Sequence, residues 1–217
     1  MNKFVFNQAE EPDKLEINKK VQKKFIRGRN IERYFINYSG DVIYYLPDEL
    51  HRPAFPELFE NEKIVVSEIS KDIKAAYDTS GYYSNEKTVV LVKWGIFSNV
   101  SDKVMRGRGI KVNNELFLKT NTLSTKYIIS FINSSLLNYY FKKMLSDGLN
   151  VYPDNLREMP IIIIKNQKPF IKLVDQILDA KKKNPGADTR FFEDKIDDLV
   201  FDLYNLSREE REIVRAA

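Results

Sequence analysis

Two groups of basic residues are the part of this 217-residue chain best suited to chemistry with a partner. The first comprises Lys19, Lys20, Lys23, Lys24, Arg27, Arg29 and Arg33, seven cations against one glutamate between residues 19 and 33. Cations at this density suit a phosphate backbone, whose contacts orient a protein but carry little sequence information. The second group lies between Lys103 and Lys119 and includes Arg106, Arg108 and Lys111. An arginine on a projecting loop can pair bidentately with guanine in the major groove, so Arg106, Arg108, Lys111 and Lys119 are candidates for base reading. Gly107 and Gly109 would let the backbone approach closely. Tyr82 and Tyr83, with aromatic faces available for stacking, and Lys93, beside Trp94, are further candidates. The plainer readings are a solvated loop at 106–108 and a core position for Trp94.

Catalytic patterns are incomplete. His51 is the single histidine, in a loop flanked by prolines, and no Gly-x-Ser-x-Gly or His-x-x-x-His spacing accompanies it. Gly107-Arg108-Gly109 lacks the third glycine of a dinucleotide loop and does not open a helix. Glu193-Asp194-Lys195 matches the second half of a nuclease metal motif, but it falls on the polar face of a helix whose other face is Phe192, Ile196 and Leu199. Asp154 lies too far upstream, and Asp188 too close, to complete it. The Asn/Asp-Pro-Pro-Tyr motif of amino-methylating enzymes is absent, as is their glycine-rich loop for the methyl donor. The residues predict no complete catalytic site and no metal site.

Composition bounds the rest. Hydrophobic residues make up 43% of the chain and aromatics 12%, enough for a real core. Cysteine is absent, which excludes disulfides and thiolate metal sites and suits a reducing cytoplasm. No signal peptide or membrane-length apolar run occurs, and Ile161 to Ile164 is only strand-sized, so no membrane partner is expected. The net charge of +4 is unevenly spread: nine acidic and five basic residues from Asp188 onward give that tail −4, leaving +8 on the preceding 187 residues. Such a distribution favours a polyanion.

These residues must be positioned by a strand-rich first part. Phe4-Val5-Phe6, Lys63–Ser67 and Thr88–Trp94 have strand character, and Arg33–Leu46 has the pattern of a hairpin turning at Ser39-Gly40-Asp41. Prolines 47, 53 and 56 mark an irregular connection, and Gly81–Ser84 a loop. Ile110 to Leu118 predicts a tight hairpin turning at Asn113-Asn114. Helices follow at Tyr127–Ile132 and Leu136–Met144, with Asn133-Ser134 between them as a cap. Pro169 opens an amphipathic helix that Asn184-Pro185-Gly186 breaks; Phe192–Leu203 is the next, and Ser207-x-x-Glu210 caps the last. The order predicts an α+β fold, a strand-rich mixed-sheet part followed by amphipathic C-terminal helices.

Several blocks resemble a known family in the same order. Phe25-Ile-Arg-Gly-Arg-Asn-Ile-Glu-Arg-Tyr34 resembles the opening motif of the C-terminal target-recognition (specificity) domain of TaqI-like and type IIG restriction-modification methyltransferases, except that Asn30 stands where an aspartate is usual. Leu58–Val66, then Ala76-Tyr77-Asp78 with Gly81-Tyr82, are similar to the strand signature and loop that follow. Tyr127–Phe141, with Asn133-Ser134 at its centre, resembles the helix-Asn-Ser-helix block. Met159-Pro160-Ile161 and the ending Ile196–Val200 with Leu203–Leu206 complete the series. The segment 84–124 carries the fewest matches and lies where such domains place sequence-reading loops.

The resemblance implies a non-catalytic module that reads double-stranded DNA for a longer polypeptide. Residues 1–165 would be the target-recognition domain and 166–217 a helical extension packed on it or on a parent domain. The parent would be an adenine-specific DNA methyltransferase using S-adenosylmethionine, some relatives adding a nuclease and with it Mg; this segment itself would hold no cofactor. The partners implied are duplex DNA and the methyltransferase domain of the same polypeptide, in the cytoplasm. Two other readings fit the residues: a protein-interaction module built on the helical part, and single-strand or RNA binding through Tyr82, Tyr83 and Trp94. A phage-defence methyltransferase without nuclease is a further kind of parent.

Overall fold

The computed structural model describes residues 5–7, 21–50, 53–101, 105 and 114–217. Its seven described strands form two sheets. The first has the order β1 (Val5–Asn7), β3 (Asp41–Tyr44), β2 (Gln22–Ile26) and β6 (Tyr83–Ser84). In it β3 is antiparallel to both neighbours, and Phe25 of β2 pairs in parallel with Tyr83. The second sheet is antiparallel, β5 (Ala75–Asp78), β4 (Lys63–Ser67) and β7 (Thr88–Val92), with Val65 opposite both Ala76 and Val90. All five residues of β4 are buried, as the run Lys-Ile-Val-Val-Ser requires of a central strand.

Helices α1 (Pro56–Glu60), α2 (Asn114–Asn121), α3 (Thr125–Ile132), α4 (Ser135–Tyr140), α5 (Pro153–Arg157), α6 (Lys168–Lys183), α7 (Arg190–Leu203) and α8 (Arg208–Arg215) accompany the sheets. A π-helical turn, Phe141–Leu145, extends α4. The caps follow from sequence. Ser134 accepts from the Leu137 amide, Pro169 lies in the first turn of α6, and Ser207 and Glu210 form a capping box. The largest core cluster joins Ile64, Val66 and Ala75 of the second sheet to Tyr127 and Phe131 of α3, to Phe170, Val174 and Ile177 of α6, and to Ile196 and Val200 of α7. The apolar stripes of the C-terminal helices thus fill the same core as the strands.

The α+β class is as expected, and four local expectations change. Residues 33–46 do not make a hairpin. Ile31 bridges Ile36 in a tight turn with Tyr34 at φ 67°, and β3 pairs instead with β1 and β2. Tyr34 is held in this unfavourable conformation because its amide donates to the Ala75 carbonyl and its carbonyl accepts from the Tyr77 amide, extending the edge of the second sheet. Glu115 to Leu118 belongs to α2 rather than to a hairpin, the helix-forming preference of Glu, Leu and Lys outweighing the Asn-Asn turn signal. Residues 110–113 lie outside the described residues. Tyr83-Ser84 is strand rather than loop, and Pro56, in the expected irregular connection, opens α1.

Candidate nucleic-acid interface

The basic turn 27–30 is built around Asn30. Its Oδ1 accepts from the Arg27 amide at 2.8 Å, and its Nδ2 donates to the Asn37 carbonyl at 2.9 Å and to Ser39 Oγ at 3.2 Å. Gly28 makes the turn's seat possible, because a Cβ there would lie 2.9 Å from Ser67 Oγ and 3.4 Å from the Lys87 carbonyl oxygen. Arg27 Nε donates to the Asp41 carboxylate at 2.9 Å, and Arg29 stands 3.9 Å from it with 71% of its side chain exposed. Burial alone would raise the Asp41 pKa, but hydrogen bonds from Arg27 and Asn7, with the charges of Arg27 and Arg29, hold it below the usual carboxylate range.

Lys23 and Lys24 lie on β2 beside this turn. Lys23 pairs with Glu60 at 2.8 Å and sits over the Tyr83 ring, while exposed Lys24 sits over the Tyr82 ring, 5.9 Å from its centroid. Lys19 and Lys20 lie outside the described residues. Arg33 turns away from this face: its guanidinium pairs with Glu193 of α7 at 2.8 Å. That contact makes Arg33 a tie between the turn and the C-terminal helices.

Among the expected base readers, Tyr82 is half-buried against Tyr38, ring centroids 5.1 Å apart. Tyr83 is only 2% exposed, stacked on Phe59 and donating its hydroxyl to Glu60, so its ring has no face free for a base. Lys93 precedes the 3-10 turn Trp94–Asn99, in which Trp94 packs on Phe97 in a small apolar cluster. Lys119 falls on α2. Arg106, Arg108 and Lys111 lie outside the described residues.

Two basic residues that sequence clustering missed complete the face. Lys74 and Lys87 join Arg27 and Arg29 around a cleft of about 400 Å³ that also exposes Ser70 and Asn85. Neither lysine belongs to a basic run, so only the fold brings them to the turn. Among the described residues no group of three or more potential metal ligands converges, and no helix is long and apolar enough to cross a membrane.

Several of the motif residues behind the family resemblance, outside the basic turn, prove to be scaffold. Lys63 and Asp78 form a fully buried ion pair across β4 and β5; Lys63 also donates to the Phe59 carbonyl, and Asp78 accepts from the amides of Ser80 and Tyr82. Burial lowers the Lys63 pKa, and the Asp78 charge opposes that shift. Asn133 clasps Ala75, accepting from its amide at 3.0 Å and donating to its carbonyl at 2.8 Å. Asp197 of α7 accepts from the Ser135 amide and hydroxyl at the start of α4, and burial raises its pKa.

Residues 23–107 match the family of TaqI-like C-terminal specificity domains, which bears out the resemblance over that stretch. Among solved structures, the type IIL restriction-modification enzyme MmeI, determined in complex with DNA, is similar over 99% of this chain at 11% identity, with a TM-score of 0.60. The match covers 34% of the MmeI chain, so this chain spans about a third of that enzyme's length. At that identity the likeness establishes the fold. No curated protein matches the sequence.

Proposed function

We propose that this chain is the DNA-recognition module of a restriction-modification enzyme, a specificity domain that docks on duplex DNA and performs no catalysis itself. One observation carries the reading: the stretch matching the specificity-domain family contains the turn that presents Arg27 and Arg29 beside Lys74 and Lys87. The MmeI likeness, over nearly the whole chain and to an enzyme solved with DNA, supports the same assignment. Lys23, Lys24, Arg27 and Arg29 orient the duplex through its phosphates, and Arg106, Arg108 and Lys111 read base edges. The parent methylates adenine with S-adenosylmethionine in a separate domain, and the module positions the target base for extrusion into that domain. The module acts in the cytoplasm.

Electrophoretic titration against a randomised duplex library, repeated at several salt concentrations, tests the proposal. Arg29→Ala should weaken all sequences alike, whereas Arg106→Ala or Arg108→Ala should change the order of preference. Salt-independent binding, or a single-stranded competitor that displaces duplex more strongly than duplex does, would refute it.

A further inference from the structure

The cleft beside the basic turn gathers its four cations from three separated segments. Arg27 and Arg29 come from the turn after β2, Lys74 from the approach to β5, and Lys87 from the turn before β7. Resting on the DNA-binding reading above, we infer that this cleft is a prebuilt seat for a backbone phosphodiester of duplex DNA, with Lys74 and Lys87 as contact residues alongside the two arginines.

The backbone of each wall is fixed by hydrogen bonds that do not use the cationic groups. Asn30 sets the turn, and Gly28 lets it rest on Ser67 and the Lys87 carbonyl. The Glu68 amide donates to the Lys87 carbonyl at 3.1 Å, joining the second and third walls, and Asn85 Oδ1 accepts from the Lys87 amide at 3.2 Å. Lys74 sits between Ile73 and Ala75, whose amides donate to Asn138 and Asn133. The cost of ordering the cleft's backbone is therefore met by folding, and only the cationic side chains remain to be ordered on binding.

The cations themselves are loosely held. Lys74 lies 3.3 Å from Glu32 with 42% of its side chain exposed, and Lys87 lies 3.9 Å from Glu68 with 51% exposed. Exposed pairs of this kind contribute little and exchange readily for a stronger anion. Arg27 engages Asp41 through Nε, and a guanidinium carries five donors in all. The hydroxyl of Ser70 and the amide of Asn85 add neutral polar groups at the cleft wall. Among the described residues Glu32, the partner of Lys74, is the one carboxylate that lines it against four cations. A phosphodiester, singly charged and rich in acceptors, matches this set, and the contact would be indifferent to base sequence.

The test uses the full chain, its Lys74→Gln/Lys87→Gln double variant, the Lys74→Arg/Lys87→Arg pair, and Lys172→Gln on α6 as a control outside the cleft. Each is titrated with a mixed-sequence duplex over a series of chloride concentrations, with thermal unfolding as a check on folding. The glutamine pair should bind about tenfold or more weakly at low salt, alike for all sequences. It should also flatten the slope of log K against log salt by about 0.9 for each phosphate that is no longer neutralised. The arginine pair should restore both, and Lys172→Gln should leave both unchanged. A glutamine pair that keeps wild-type affinity and slope, while Arg106→Ala still alters preference, would overturn the cleft alone. Absence of duplex binding by the wild type would remove the functional reading and the inference with it. Titration with inorganic phosphate provides the last arm: phosphate binding that the glutamine pair abolishes, with duplex affinity intact, would make this a free-anion site and overturn the assignment.

Discussion

Asn30 accepts through Oδ1 from the Arg27 amide and donates through Nδ2 to the Asn37 carbonyl, so both ends of its amide are used. An aspartate has no donor to offer that carbonyl. Asn30→Asp should therefore destabilise the protein by about 1–3 kcal/mol, measured by urea denaturation. Asp41 gives a pH signature. Its folded pKa lies below the unfolded value of 3.8, so on acidification the unfolded state takes up the proton first. The stability it contributes is present above the unfolded pKa and is lost as pH falls through the folded one. The stability difference between wild type and Asp41→Asn, followed by denaturation from pH 6 downward, should stay constant to about pH 4 and then shrink. A constant difference down to about pH 2 would separate Asp41 from the arginine pair.

At the scale of elements, the link that matters most runs from the α3–α4 junction to the edge of the second sheet. Without Asn133 the buried Ala75 amide has no partner, while its carbonyl still accepts from Tyr34. Asn133→Ala should cost about 1–3 kcal/mol in denaturation and speed hydrogen exchange at the Ala75 amide. The ion pair of Lys63 and Asp78 fixes the 78–82 loop in a similar way. Asp78→Ala leaves a buried ammonium without its counter-charge and two loop amides unpaired, and the expected loss is about 3–5 kcal/mol. The recognisable blocks of this chain are therefore largely internal fastenings, which serve folding first and place the basic turn as a consequence. Arg33 belongs with them, because Glu193 on α7 holds its guanidinium.

At the scale of the whole molecule, the largest core joins the second sheet to the C-terminal helices, while the first sheet packs in separate, smaller clusters. Phe170, Val174, Ile177, Ile196 and Val200 are buried in the cluster that contains Ile64 and Val66. A chain ending at residue 165 would uncover that cluster, and it should lose cooperative thermal unfolding. A truncation that unfolds as sharply as the full chain would show the helices to be an independent extension. Much of this architecture is legible in the residues: the buried run 63–67, the helical spacing after Tyr127, the proline and serine helix starts, and the basic stretch before Arg33. Local periodicity and capping chemistry act over a few residues, so the chain states them directly. The hairpin expected at 33–46 failed because Tyr34 answers to Ala75, some forty residues away in the chain. Tyr83 looked free to stack on a base because nothing in its neighbours reveals Phe59 above it. Lys74 and Lys87 stood alone in sequence for the same reason. By itself the sequence determined the α+β class, most of the helices and the central strand, the positive charge gathered before Arg33, and the resemblance to specificity domains over residues 23–107. Only the tertiary structure decided which of those charges meet, because convergence depends on strand pairing between distant segments, which local pattern does not encode.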